Sequence, residues 1–136
     1  MQVKKTLLAS VVVFVLFTVL DFVLHGILLR DLYAETAHLW RSAEALSGLA
    51  WIIWVVDALI AFLFVWLYGK GWEAGKPWLG QGLRFGLVVG LLFSLPMGFS
   101  MYAIMPVPLS LGLGWFAGAL AEFVIAGIAT AMVFRS

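Results

Sequence analysis

The chain has no cysteine, and only 11% of its 136 residues are charged. The first absence removes disulfides, thiolate metal sites, iron–sulfur clusters and thiol nucleophiles, and leaves the redox compartment open. The second removes the solvated surface of a water-soluble domain, which is typically about a quarter charged and about half apolar. Histidine occurs twice, at His25 and His38. No phosphate loop, nucleotide fingerprint, H-E-x-x-H pair or serine-nucleophile elbow is present. The glycine-rich stretches GLRFG and LGLG belong to apolar runs. A net charge of +1 supplies no concentrated basic patch, so nucleic acid is not an expected partner.

What the chain has in abundance is apolar side chain, at 65% of residues. A fold of this length cannot hide so much from water, so lipid must be the solvent for most of it. Four runs, at about 6–29, 49–68, 84–105 and 110–134, each approach the ~20 residues that a helix needs to cross about 30 Å of hydrocarbon. Backbone polar groups in lipid must be satisfied within their own segment, which makes these runs helices. The expected fold is all-α: a four-transmembrane-helix bundle in a single transmembrane domain over residues 1–136. Lys4 and Lys5 before the first run would also suit a secretory signal peptide. The apolar stretch is too long for one and no small-x-small cleavage site follows, so a retained first helix is expected.

Lys and Arg in short loops set orientation. Lys4, Lys5, Lys70, Lys76, Arg84 and Arg135 fall on one side of the predicted spans, against Arg30 and Arg41 on the other. That bias predicts both termini in the cytoplasm. Tyr33, Trp40, Trp51, Tyr102 and Trp115 then fall near the outer boundary, and Trp66, Tyr68, Trp72 and Trp78 near the inner one, as in aromatic belts. The outer segment at about 30–48, RDLYAETAHLWRSAEALSG, places Leu32, Leu39, Ala43 and Leu46 at helical spacing. It reads as a short amphipathic helix, either lying on the outer membrane surface or exposed in the loop.

Two features concern packing. LAWIIWVVDALIA (49–61) and LGWFAGALAEFVIA (113–126) resemble each other, and LFT (16–18) echoes LFS (92–94), which suggests two tandem helical hairpins in the same orientation. Gly82, Gly86, Gly90, Ser94 and Gly98 put a small residue at every fourth position of the third span. Such a stripe lets helix backbones approach closely in lipid. Gly114, Gly118, Ala126 and Thr130 repeat the spacing in the fourth span, with Glu122 in the gap, so the third and fourth spans are expected to pack through these stripes. The rival is a contact with a second copy or another protein. Pro96 is expected to kink the third span, because it lacks an N–H for the carbonyl one turn earlier.

The remaining signal is a set of ionisable groups where lipid is expected. At ~1.5 Å per residue, Asp21 and Asp57 both lie about 12 Å below the outer edge, His25 about 6 Å, and Glu122 about 16 Å, level with Ser94. Ser100 and Tyr102 are level with His25. A charge facing lipid would cost ~3 kcal/mol on insertion scales, so Asp21, His25, Asp57 and Glu122 are expected to turn towards one another. The i, i+4 spacing lets Asp21 pair with His25, and Thr18 extends the polar stripe by one turn. Three acids and one histidine cannot all be ionised in a dry site. At least one acid is expected to keep its proton, or a cation to be bound.

Four readings of this cluster stay open. One is a buried polar network that only fixes helix register. A second is a proton relay or solute path in an outward-opening cavity. A third is a metal site on His25, Asp21, Asp57 and Glu122. The last is lipid chemistry using an acid and His25. No cofactor is expected, since haem held by two histidines would need His38 within a span. Arg84 is expected to snorkel to lipid phosphates.

DFVLHGILL (21–29) with Tyr33 and LWR (39–41), GLRFGLVVG (82–90), Tyr102 before Pro106-Val107-Pro108, and the acid Glu122 together resemble small four-span bacterial integral membrane proteins of unknown function. The resemblance implies that fold and a bacterial inner membrane. It carries no activity, so no catalytic residue is inherited. The sequence therefore points to a non-enzymatic accessory or structural subunit, with membrane lipid and other membrane subunits or a homo-oligomer as partners. The alternative is a small transporter or proton-coupled protein.

Overall fold

The computed structural model describes residues 2–135, and among them every regular element is helical. The helices are α1 (Gln2–Leu28), α2 (Arg30–Glu35), α3 (Ala43–Gly71), α4 (Trp78–Ile104) and α5 (Leu109–Phe134). All but α2 are long and apolar enough to cross a membrane, so the chain is a multi-pass integral membrane protein with an all-α four-helix bundle. The helices outrun the apolar runs that announce them. The Ser42 hydroxyl accepts a bond from the Ala45 N–H at 3.2 Å, so α3 starts six residues before its first apolar run. Pro77 sits at the start of α4, where its missing N–H costs nothing.

The four spans follow the order α3, α1, α5, α4 in space. α1 with α3 and α4 with α5 form two hairpins, joined along α1 and α5. α4 lies against α5 most extensively, and glycines make this possible. A Cβ built on Gly86 would lie 2.6 Å from the Phe123 carbonyl oxygen and 2.9 Å from the Val124 Cα. One on Gly82 would meet the Gly127 oxygen at 2.6 Å, and one on Gly98 would meet the Gly112 oxygen at 2.8 Å. The backbones therefore touch, and dispersion between them replaces a hydrophobic drive that lipid does not provide. Gly114 and Gly118 serve another contact than the one expected. They receive the Leu29 and Leu24 side chains of the α1 end, while Gly112, Gly127 and Ala131 face α4.

The end bearing the chain termini and the Lys76 loop is here the basic end, and the other the loop end. Towards the basic end an aromatic core binds all four spans. Phe17, Phe64 and Phe123 meet with centroids 5.3 to 6.4 Å apart, and Phe93 stacks on Phe123 at 5.0 Å. Phe85 bridges α4 to α3 through Phe64 and Tyr68. Tyr68 is only 3% exposed, so it is a core residue rather than a belt residue.

Towards the loop end the bundle opens. α3 leaves its neighbours, and Trp51, Ile53, Trp54 and Leu59 are all more than half exposed. The segment expected as one surface helix over 30–48 divides into α2, a 3-10 turn at Ala37–Leu39, and the first turn of α3. Its apolar side chains Leu32, Tyr33, Leu39 and Trp40 pack on Leu24, Leu29, Val107, Leu111 and Trp115. The segment thus caps the ends of α1 and α5, because that protein surface offers a closer fit than the lipid boundary.

Candidate functional site: an acid cluster tied to a histidine–tyrosine–tryptophan chain

α1 changes its winding where its polar groups lie. Leu24–Leu28 is a π-turn, with the Leu29 N–H donating to the Leu24 carbonyl at 2.8 Å. Such turns are uncommon and concentrate at functional sites. His25 lies in this turn, one helical turn after Asp21. Their nearest N and O atoms stand 4.0 Å apart, and each side chain is about a third exposed (32% and 31%). The stronger partner of His25 is Tyr33 on α2, whose hydroxyl lies 2.7 Å from Nδ1. The same hydroxyl accepts from the Trp115 indole N–H at 2.6 Å. Trp40 stacks edge-on between Tyr33 and Trp115, and its indole donates to the Thr36 hydroxyl at 2.8 Å.

The donor count constrains this chain. An indole can only donate, so Trp115 takes one lone pair of the Tyr33 oxygen. Burial pushes the Tyr33 phenol above its ordinary value, the Trp115 bond works the other way, and the nearby Asp21 charge raises it again. Tyr33 therefore keeps its proton near neutrality. When that proton points to His25 Nδ1, the imidazole N–H is on Nε2, facing Asp21. The order Trp115, Tyr33, His25, Asp21 is then a directed hydrogen-bonded path, broken only by the 4.0 Å step at its end.

Asp21 is also the hub of the acids. Asp57 from α3 and Glu122 from α5 both lie close enough to Asp21 for their charges to interact. Neighbouring carboxylates repel, so such a site favours a shared proton or a balancing cation. Glu122 Oε1 is buried with no hydrogen-bond partner. Below this hub lies the aromatic layer of Phe17, Phe64 and Phe123. The acids thus share a half-open site above an apolar floor.

The other residues expected here lie apart. Thr18 spends its hydroxyl on the Phe14 carbonyl at 2.9 Å. Ser94 is wholly buried on the α4 stripe between Gly90 and Gly98, its hydroxyl unpartnered. Ser100 and Tyr102 are exposed on α4, the span next to α5 rather than α1. Pro96 opens a second π-turn, Pro96–Ser100, which is the form taken by the expected kink. Among the described residues no group of three or more His, Asp or Glu is arranged to hold a metal ion.

Sequence reasoning missed Tyr33 and Trp115 as site residues and assigned both to the aromatic belt. Trp115 is 6% exposed, at the centre of the loop-end core. The only sequence signal was a buried-type imidazole lacking a second partner. Nothing in the spacing of Tyr33 or Trp115 identified either as that partner. The chain matches no family model, no curated protein and no solved structure, so its role is argued from the acid site and the four-span membrane fold alone.

Proposed function

We propose that this chain is a non-enzymatic accessory subunit of a membrane assembly, and that its acid site receives a cationic side chain from a partner's transmembrane helix. One observation carries the proposal: Glu122 is buried with an unpartnered carboxyl oxygen among the acids of the loop-end half, where Trp51, Ile53 and Trp54 of α3 have no helix packed on them. His25 is the only basic residue within the spans at that depth. A closed structural network would satisfy its members, whereas Glu122 Oε1 is left without a partner. A Lys or Arg entering between α3 and the rest would balance the charge. A second copy would bring three more acids, so a different chain is the better occupant.

The test is gentle extraction from the source membrane, followed by mass spectrometry of whatever accompanies the protein. A membrane subunit is expected to co-purify and to be lost with Asp57→Asn, since removing one side of a buried charge pair costs about 2 kcal/mol or more. A chain that always purifies alone overturns the reading. The setting proposed is a bacterial inner membrane with both ends of the chain cytoplasmic, supported by the six basic residues at one end of the bundle against two at the other. Reporter fusions are expected to place the C-terminus inside, and an external C-terminus would refute the orientation.

The Trp115–Tyr33–His25–Asp21 path supports a second reading, a small proton-coupled transporter opening outwards. It requires proton or solute flux in proteoliposomes that Asp57→Asn abolishes in still-folded protein. Flux unchanged by that substitution counts against it.

A further inference from the structure

The basic end carries a feature that the acid site does not explain. A cavity of about 380 Å³ runs between α1 and α3, lined by Val3, Thr6, Leu7, Phe62, Trp66 and Lys70 among others. Its walls are mostly apolar, with Gln2, Thr6 and Lys70 as the polar lining residues, and it lies between two membrane-spanning helices. Lys70 lines it in the last turn of α3, at the basic end, with the ammonium 5.1 Å from the centre of the Trp66 ring. The stem of Lys70 is thereby held along the wall while its charge stays at the end of the groove.

The surroundings of the groove are strongly one-signed. Six of the eight Lys and Arg residues lie at this end, with Glu73 as the only acid near them. Glu73 is taken by Lys76 at 2.7 Å, which holds its carboxyl below the usual range. Lys5 donates to the Phe134 carbonyl at 3.3 Å and faces Trp72, and Arg135 lies over Trp78 at 5.2 Å. Lys70 has no ion pair among the described residues.

We propose that this groove is a binding site for one anionic phospholipid, with an acyl chain between α1 and α3 and the headgroup phosphate on Lys70. The groove selects an amphipathic ligand, because an apolar slot at hydrocarbon depth ends in a cation. The unbalanced positive charge around it selects a headgroup of net negative charge over a zwitterionic one. A soluble anion would leave the apolar walls unused.

The test is native mass spectrometry of detergent-solubilised protein titrated with dioleoyl-phosphatidylglycerol or dioleoyl-phosphatidylcholine. The glycerol lipid is expected to be retained preferentially. Lys70→Ala and Lys70→Gln should each lower that retention about five-fold, the weight of one lysine near an anionic surface, without changing choline-lipid retention. Leu7→Trp, which fills the groove without altering charge, should reduce both lipids. Lys76→Ala, which removes a cation outside the groove and unmasks Glu73, should lower phosphatidylglycerol retention by less than the Lys70 substitutions do and leave choline-lipid retention unchanged. Unfolding temperatures of the variants establish that each is folded. Equal retention of the two lipids by the wild type overturns the site. So does indifference to the Lys70 substitutions, indifference to Leu7→Trp, or an equal loss with Lys76→Ala, which would mean a diffuse basic surface.

Discussion

Gly86→Val is expected to destabilise the bundle by about 3 kcal/mol or more, measured as a lower unfolding temperature in detergent. Even the first added carbon would lie 2.6 Å from the Phe123 carbonyl oxygen and 2.9 Å from the Val124 Cα. Both are backbone atoms of α5, so no rotamer change relieves the overlap and the two helices must separate. Separation would also undo the neighbouring contacts at Gly82 and Gly127, which depend on the same close approach. The control is Gly80→Ala, two residues before the stripe, where an added Cβ meets nothing within 4 Å. That change should be neutral or slightly stabilising, because alanine is favoured over glycine in a helix by up to about 1 kcal/mol. Similar effects at the two positions would contradict backbone contact between α4 and α5.

Trp115→Ala is the second large effect, expected at about 3–5 kcal/mol for loss of a buried aromatic. Trp115 fills the loop-end core beneath α2 and supplies the indole that fixes Tyr33. Its removal should release the Arg30–Glu35 cap as well as empty a cavity, so hydrogen exchange in α2 should rise with it. Tyr33→Phe isolates the polar part. It leaves the Trp115 N–H and His25 Nδ1 without their shared oxygen, at an expected cost of about 1–3 kcal/mol. Combining Tyr33→Phe with Trp115→Phe should cost less than the sum of the two single changes, since both delete the same bond. Strict additivity would mean that the 2.6 Å contact contributes no coupling.

The expectation of an acid site follows from a cost. A carboxylate in hydrocarbon is expensive wherever it points except inward, so depth alone predicted that Asp21, Asp57 and Glu122 would face one another. Their depths came from a count of helical rise, which needs no tertiary information. The same count placed Ser100 and Tyr102 level with His25, and there it misled. Equal depth does not mean adjacency: α4 is separated from α1 by α5, and no one-dimensional count shows which spans are neighbours. His25 illustrates a second limit. The i, i+4 rule named Asp21 as its partner, and the two stand 4.0 Å apart, but no spacing rule pointed to the closer Tyr33 hydroxyl at 2.7 Å.

The loop segment over 30–48 shows a third limit. Its apolar spacing could not tell a membrane surface from a protein surface, since both reward the same pattern. Trp40, Tyr33 and Trp115 look alike as belt aromatics in the sequence, yet they form a hydrogen-bonded cluster in the fold.

Composition and run length by themselves determined that this chain is a four-span helical membrane protein, because backbone groups in lipid admit little else. The glycine stripe determined that α4 would offer a flat face for close contact. Tertiary structure alone decided which glycines meet which backbone, which spans are neighbours, and that Tyr33 rather than Asp21 holds the imidazole. Those choices depend on the angle and order of packed helices, and residues far apart in the chain set them through shape and donor geometry.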